Sequence, residues 1–329
     1  MTNRREFLAC SALAFATSTG TLVAGAASRI DDGPILDTHQ HLWDLDLLNP
    51  PWVVEAPEIL RKKYDSAAYA RESVGLNIVS CLYMEIDMAP EKADFEAEHI
   101  LALCRSGKTP TRGAILSGRP EQSAFAKRVK RWSRASEVRG FRRILHVDHA
   151  PPQTCLSKQF EKSMATLADH GLTFDLCMRV DELDDGAKLA GRCADTQFIV
   201  DHCGNADPVA FQKSSQQKRK PLHDADAWRR SMERFATHDN VACKISGIVA
   251  RAPEGWKSEH LVPIIDFCLE TFGPDRVIFG SDWPVCRLGG SLKQWVVALR
   301  EIVKDRPGVQ QRALFSQNAQ KIYGATLNG

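Results

Sequence analysis

After residue 34 the chain repeats one theme eight times: a short apolar, β-branched run, then a longer stretch of helical character. The runs are Ile35–Trp43, Ile78–Ile86, Gly113–Arg119, Val138–Leu145, Thr173–Met178, Gln197–His202, Val241–Ser246 and Val277–Trp283. Helix-like segments such as Asp94–Arg105, Ser123–Ala135, Lys158–His170, Asp224–His238 and Glu259–Phe272 lie between them, with Gly or Pro at most junctions. Alternating strand and helix implies right-handed crossovers and a parallel sheet. Eight such units over about 290 residues fit a closed (β/α)8 barrel. An open doubly wound sheet would bring a Gly-rich phosphate turn after its first strand, whereas this strand ends in His39-Gln40-His41-Leu42-Trp43. The expected organisation is α/β, one barrel domain over 28–329, with the polar 205–226 stretch as a lid or rim loop.

The 329 residues carry a formal net charge of +2, with 43% hydrophobic and 26% charged residues. That balance argues against a nucleic-acid surface or a polybasic membrane patch. The one basic run, Lys213–Lys220, reads as a solvated loop, and no segment past residue 30 is long and apolar enough to span a bilayer. Residues 1–27 have the layout of an export signal: Arg4-Arg5-Glu6-Phe7-Leu8, a modest apolar region, then Ala24-Gly25-Ala26-Ala27. The adjacent arginines resemble the twin-arginine type, which carries folded proteins out of the cytoplasm to the periplasm or beyond. Nine cysteines remain after that segment, scattered and without CxxC pairs, so a disulfide framework is not expected.

In a barrel of this kind functional side chains sit at the C-terminal ends of the strands. Strand one ends in Asp37-Thr38-His39-Gln40-His41, whose i, i+2 spacing places both imidazoles on one face. They form half of a metal site or a pair of donors for a substrate carbonyl, unless both are satisfied structural histidines. Strand six closes on Asp201-His202-Cys203-Gly204. One of Asp201 and His202 should face inward, and a third histidine at the mouth is the more useful choice. Strand eight runs Val277-Ile278-Phe279-Gly280-Ser281-Asp282-Trp283-Pro284, and a carboxylate directly after a buried apolar strand needs a partner or a catalytic task. Glu85 ends strand two, Arg142 lies on strand four and Lys244 on strand seven. An Arg142–Glu85 pair inside the barrel competes with a guanidinium gripping a substrate carboxylate or hydroxyl pair. Trp43 and Trp283 either stack on a sugar ring or belong to the core.

Taken together, Leu36–Trp43, Gly140-Phe141-Arg142, Val200–Gly204, Lys244–Gly247, Phe279–Val285 and Asn318–Tyr323 resemble the amidohydrolase superfamily, in particular its sugar-lactonase branch with 2-pyrone-4,6-dicarboxylate lactonase. The resemblance spans roughly residues 35–325. It implies a barrel that opens a lactone, a sugar aldonolactone or a related carboxylated lactone, with Asp282 as general base. It also implies that His39, His41 and His202 polarise the carbonyl or, with Asp282, bind one divalent ion such as Zn or Mn. Strand four carries no Lys for a carbamate-bridged binuclear centre, so metal-free and single-ion chemistry both stay open. Arg142, Glu85, Lys244, Trp43 and Trp283 fall to substrate binding. The rivals are a metal-dependent decarboxylase of the same superfamily and a non-catalytic periplasmic sugar-acid binder. Whether the chain forms a homo-oligomer is open.

Overall fold

A computed structural model describes residues 32–327, so the export-signal reading of residues 1–27 lies outside the described residues. Eight parallel strands pair in sequence order. They are β1 Ile35–Gln40, β2 Ile78–Met84, β3 Thr111–Ser117, β4 Val138–Ile144, β5 Thr173–Cys177, β6 Phe198–Val200, β7 Val241–Ile245 and β8 Val277–Phe279. A parallel bridge between Gln40 and Trp283, with His41 N–H donating to the Trp283 carbonyl at 2.8 Å, brings β8 against β1 and closes the ring. Outside it run α1 Ser66–Glu72, α2 Ala93–Ser106, α3 Phe125–Trp132, α4 Lys158–Asp169, α5 Leu183–Arg192, α6 Ala225–Ala236, α7 Ser258–Phe272 and α8 Leu292–Val303. Side chains of Asp65, Ser157, Asp224 and Ser291 cap the N-termini of α1, α4, α6 and α8, each accepting from an otherwise orphaned backbone N–H.

The barrel is filled in layers. Its lower interior is a separate apolar cluster of Leu36, Leu82, Ile115, Ile199, Ala242 and Ile278, distinct from the larger core between sheet and helices. Two short helices, α9 Gly308–Arg312 and α10 Asn318–Tyr323, follow α8. Ala319 and Tyr323 of α10 complete that lower cluster, and the Asn318 amide donates to the Pro274 and Val277 carbonyls where β8 begins. Thus α10 is the floor of the barrel, and the strand ends opposite it form the mouth.

The 205–226 segment is a pinned rim. Buried Asp207 accepts from Val209 N–H, Leu222 N–H and the Arg219 guanidinium, while most of the basic run is exposed as expected. All nine cysteines of the described residues are free. No helix among them is long and apolar enough to cross a membrane.

Behind β2, Glu96 of α2 is buried; its Oε1 accepts from Tyr83 O–H at 2.9 Å and Ile86 N–H at 3.0 Å. Burial, and then the nearby Glu85 charge, push its carboxyl up to about 8. The folded state therefore holds this proton more tightly than the unfolded chain. The stability it brings is complete below the ordinary value of 4.5 and is lost as pH rises through about 8. Glu96→Gln keeps the Oε1 acceptor and is expected to flatten that alkaline decline. A melting series from about pH 5 to pH 9 in which the variant tracks the parent would refute the assignment.

Candidate active site

The first pair of imidazoles owes its placement to a β-bulge. Along β1 and β2, Asp37 pairs with Cys81 and Gln40 with Tyr83, so Thr38 and His39 together oppose Leu82. The bulge shifts the phase of the strand. Asp37 points out to the helices, where it accepts from Tyr69 O–H at 2.6 Å and Ser281 N–H at 2.8 Å. His39 and His41 point inward, with ring centroids 4.9 Å apart. Gly280 allows this approach, since a Cβ there would lie 2.7 Å from His39 Cβ.

After β6 the backbone enters a left-handed turn. His202, Cys203, Gly204 and Asn205 have φ of +57°, +51°, +64° and +57°. Left-handed helical geometry costs an L-residue about 1–2 kcal/mol and is rare in succession. The turn is held by Gly204 N–H to the Asp201 carbonyl at 2.9 Å, the Asn205 amide to the Met178 carbonyl at 2.6 Å and the Trp228 indole N–H to the Cys203 carbonyl at 2.8 Å. Its effect is to bring both Asp201 and His202 inward, where simple alternation allows only one. Asp201 continues the inward face of Ile199, and the turn swings His202 in beside it, its ring centroid 4.6 Å from that of His39. His202 Nδ1 lies 2.9 Å from Ser246 Oγ. Gly247 is required behind the ring, because a Cβ there would meet His202 Nδ1 at 2.4 Å.

Between the apolar floor and the mouth lies a layer of buried charge. Lys244, wholly buried, has Nζ 2.6 Å from Asp175 Oδ2 and 2.9 Å from Asp201 Oδ1. Tyr323 O–H also donates to Asp175, at 2.6 Å. Arg142 Nε donates to Glu85 Oε1 at 2.6 Å, and another of its N–H groups to the Glu85 carbonyl at 2.7 Å. The Arg142–Glu85 pair is thus the arrangement found. A third Arg142 N–H lies 3.3 Å from His39 Nε2, so Arg142 is consumed by Glu85 and His39, and Lys244 by two carboxylates, and neither is a free substrate contact. Trp43 and Trp283 are also core. They are 1% and 0% exposed and pack edge-on against Tyr64, so they cannot stack on a sugar ring.

At the centre His39 faces a carboxylate on each side: Nδ1 is 3.6 Å from Asp201 and Nε2 3.7 Å from Asp282. Burial lowers its proton affinity well below the ordinary imidazole value. His41 is oriented by the end of β2. Its Nδ1 lies 2.9 Å from the Met84 carbonyl, which can only accept, so Nδ1 carries the hydrogen. In the neutral ring Nε2 is then a bare lone pair, 3.4 Å from Asp282 Oδ1. An imidazole nitrogen and a carboxylate oxygen thus face each other, a pair that a proton or a metal cation could bridge. Burial alone raises the Asp282 carboxyl, but the His202, His41 and His39 rings more than offset this and hold it well below the usual carboxylate range. His202 is itself pushed down to about 4 by burial, so near neutral pH it acts on Asp282 as a dipole and not as a cation.

Ligand-type atoms of His39, His41 and Asp282 lie within 4.8 Å of one another, as do those of His39, Asp201 and His202. Two imidazoles and a carboxylate with an open side suit a divalent ion. Asp201 beside His39 Nδ1 supplies the outer carboxylate that orients a metal-bound imidazole. On the same face, the loops after β1 to β4 form an open cleft of about 830 Å³ lined by Trp52, Asp87, Met88, Arg119 and His149 among others.

Sequence reading missed Asp175, Ser246, Tyr323 and His146. Asp175 was visible as a lone charge inside Thr-Phe-Asp-Leu-Cys, and His146 as the polar end of the fourth run, where its Nδ1 lies 3.4 Å from Cys177 Sγ. Ser246 and Tyr323 lie inside stretches that carry the resemblance, Lys244–Gly247 and Asn318–Tyr323, but what their side chains hold is not legible there.

The fold and this cluster define a (β/α)8 barrel hydrolase with a His/Asp centre at the strand ends. The chain belongs to the amidohydrolase family, whose model, described as "Amidohydrolase", matches residues 36–325. It is 26% identical over 299 residues to an L-fucono-1,5-lactonase of Burkholderia multivorans, covering 88% of this chain and 95% of that one. It is 24% identical over 341 residues to an L-rhamnono-gamma-lactonase of Scheffersomyces stipitis, covering 88% and 98%. A crystal structure of a Burkholderia multivorans amidohydrolase with bound Zn superposes with a TM-score of 0.76 at 22% identity, covering 89% of this chain and all of that one.

Proposed function

We propose that the protein hydrolyses a lactone, a sugar aldonolactone or a related carboxylated lactone, with Asp282 as general base. The observation that carries this is the Asp282 carboxylate at the barrel mouth, 3.4 Å from His41 Nε2 and 3.7 Å from His39 Nε2. Relatives at about a quarter identity named as lactonases over nearly their whole length supply the substrate class.

Asp282 takes a proton from a water that attacks the ring carbonyl. His202, whose Nδ1 rests on the Ser246 hydroxyl, turns its Nε2–H toward the oxyanion that develops beside His39 and His41. Asp282 then protonates the leaving ring oxygen and a hydroxy acid departs. Glu85 and Arg142 hold each other and hold His39 in place. A divalent ion at His39, His41 and Asp282, when bound, polarises the carbonyl and acidifies the water.

Purified protein should release acid from one member of an aldonolactone panel that includes 2-pyrone-4,6-dicarboxylate, read with a pH indicator. Silence across the panel with and without Zn or Mn would overturn the reading. About one equivalent of Mn, which an all-sulfur set disfavours, is expected per chain at the His/Asp centre, and His41→Ala should lower both its occupancy and the rate roughly tenfold or more. Full activity in chelator with no bound metal would make the histidines hydrogen-bond donors alone.

A further inference from the structure

A third group of ligand-type side chains gathers behind the wall of the site. The sulfurs of Cys203, Cys243 and Cys268 all lie within 4.8 Å of one another. Three separate elements supply them. Cys203 sits on the left-handed turn after β6, Cys243 in the middle of β7 and Cys268 on α7. Ala242 and Lys244 face the barrel interior, so Cys243 faces outward to α7. All three cysteines are fully buried, and Cys203 Sγ lies 3.8 Å from the Lys244 carbonyl. No His, Asp or Glu joins the group among the described residues.

We propose that these three sulfurs form a binding site for a soft, thiophilic divalent ion, separate from the His/Asp centre. Size supports it. Metal–sulfur bonds of about 2.3 Å put three ligating sulfurs about 4 Å apart, so closing on an ion needs less than about 1 Å of movement. Donor chemistry supports it too, since an all-sulfur set without hard oxygen ligands selects soft ions over Mg, Ca or Mn. Charge balance also works. A divalent ion that displaces two protons and keeps the third sulfur as a thiol gives a neutral complex, the form an apolar pocket tolerates. The turn that presents Cys203 also presents His202, so a bound ion clamps the back of the catalytic wall.

Cadmium alone is the probe, incubated for hours with the full-length protein in buffer without thiol reductant, because the sulfurs are buried. The expected result is an ultraviolet sulfur-to-cadmium charge-transfer band that saturates at one equivalent. The band should be lost in Cys268→Ala and Cys243→Ser and retained in His41→Ala, which alters the other centre. Absence of the band in the parent protein overturns the site. So does a band that survives in either cysteine variant, which would place the ion on other thiols. Circular-dichroism melting confirms that each variant is folded, and Cys268→Ser, which keeps the side-chain volume, replaces Cys268→Ala if the alanine variant is not.

Discussion

Asp282→Asn is expected to lower kcat/KM for lactone opening by roughly a thousandfold while the protein stays folded. The amide cannot take a proton from water, which removes the base step outright. It can, however, donate an N–H to the bare Nε2 of His41, 3.4 Å away in the parent, and so replaces two facing acceptors with a hydrogen bond. The melting temperature should therefore hold or rise. Near-normal turnover in this variant would remove Asp282 from the mechanism, and loss of turnover together with the fold would show that its role is structural.

The largest stability effect belongs to Lys244→Met. Its ammonium is wholly buried between Asp175 and Asp201, and removing it strands two carboxylates in the barrel. Breaking a buried pair from one side costs about 3–5 kcal/mol, which corresponds to a fall of roughly 10 °C in melting temperature. Adding Asp175→Asn to Lys244→Met should recover part of that loss, because one stranded charge is gone. Equal melting of the single variant and the parent would show that the charged layer is already neutralised by proton transfer.

The barrel was legible because its signal is periodic. Eight apolar runs fall on all eight strands, and Gly or Pro marks many of the junctions. The site was legible as a set of residue types at strand ends, since His39, His41, His202 and Asp282 do converge. What could not be read was direction. The bulge at Thr38–His39 leaves no mark in the sequence, yet it turns Asp37 out to Tyr69 and keeps both imidazoles inside. The left-handed turn at His202–Asn205 breaks the alternation that should have separated Asp201 from His202. Pairing was equally hidden. Arg142 and Lys244 look like hands for a substrate until Glu85, Asp175 and Asp201, which come from other strands, are seen to hold them. The two tryptophans show the limit of composition, because an indole beside a site reads the same whether it faces the cavity or the core.

The floor of the barrel comes later in the chain than every strand it supports. Tyr323 closes the lower cluster and donates to Asp175, which holds Lys244, which holds Asp201 beside His39. All eight strands emerge before it, so a nascent chain can pair its sheet while the inner charge relay still lacks its end stop. The spacing of the mouth residues is thereby tied to a helix made after them: a chain paired through β8 but not yet through α10 carries every mouth residue and lacks the support that sets their spacing.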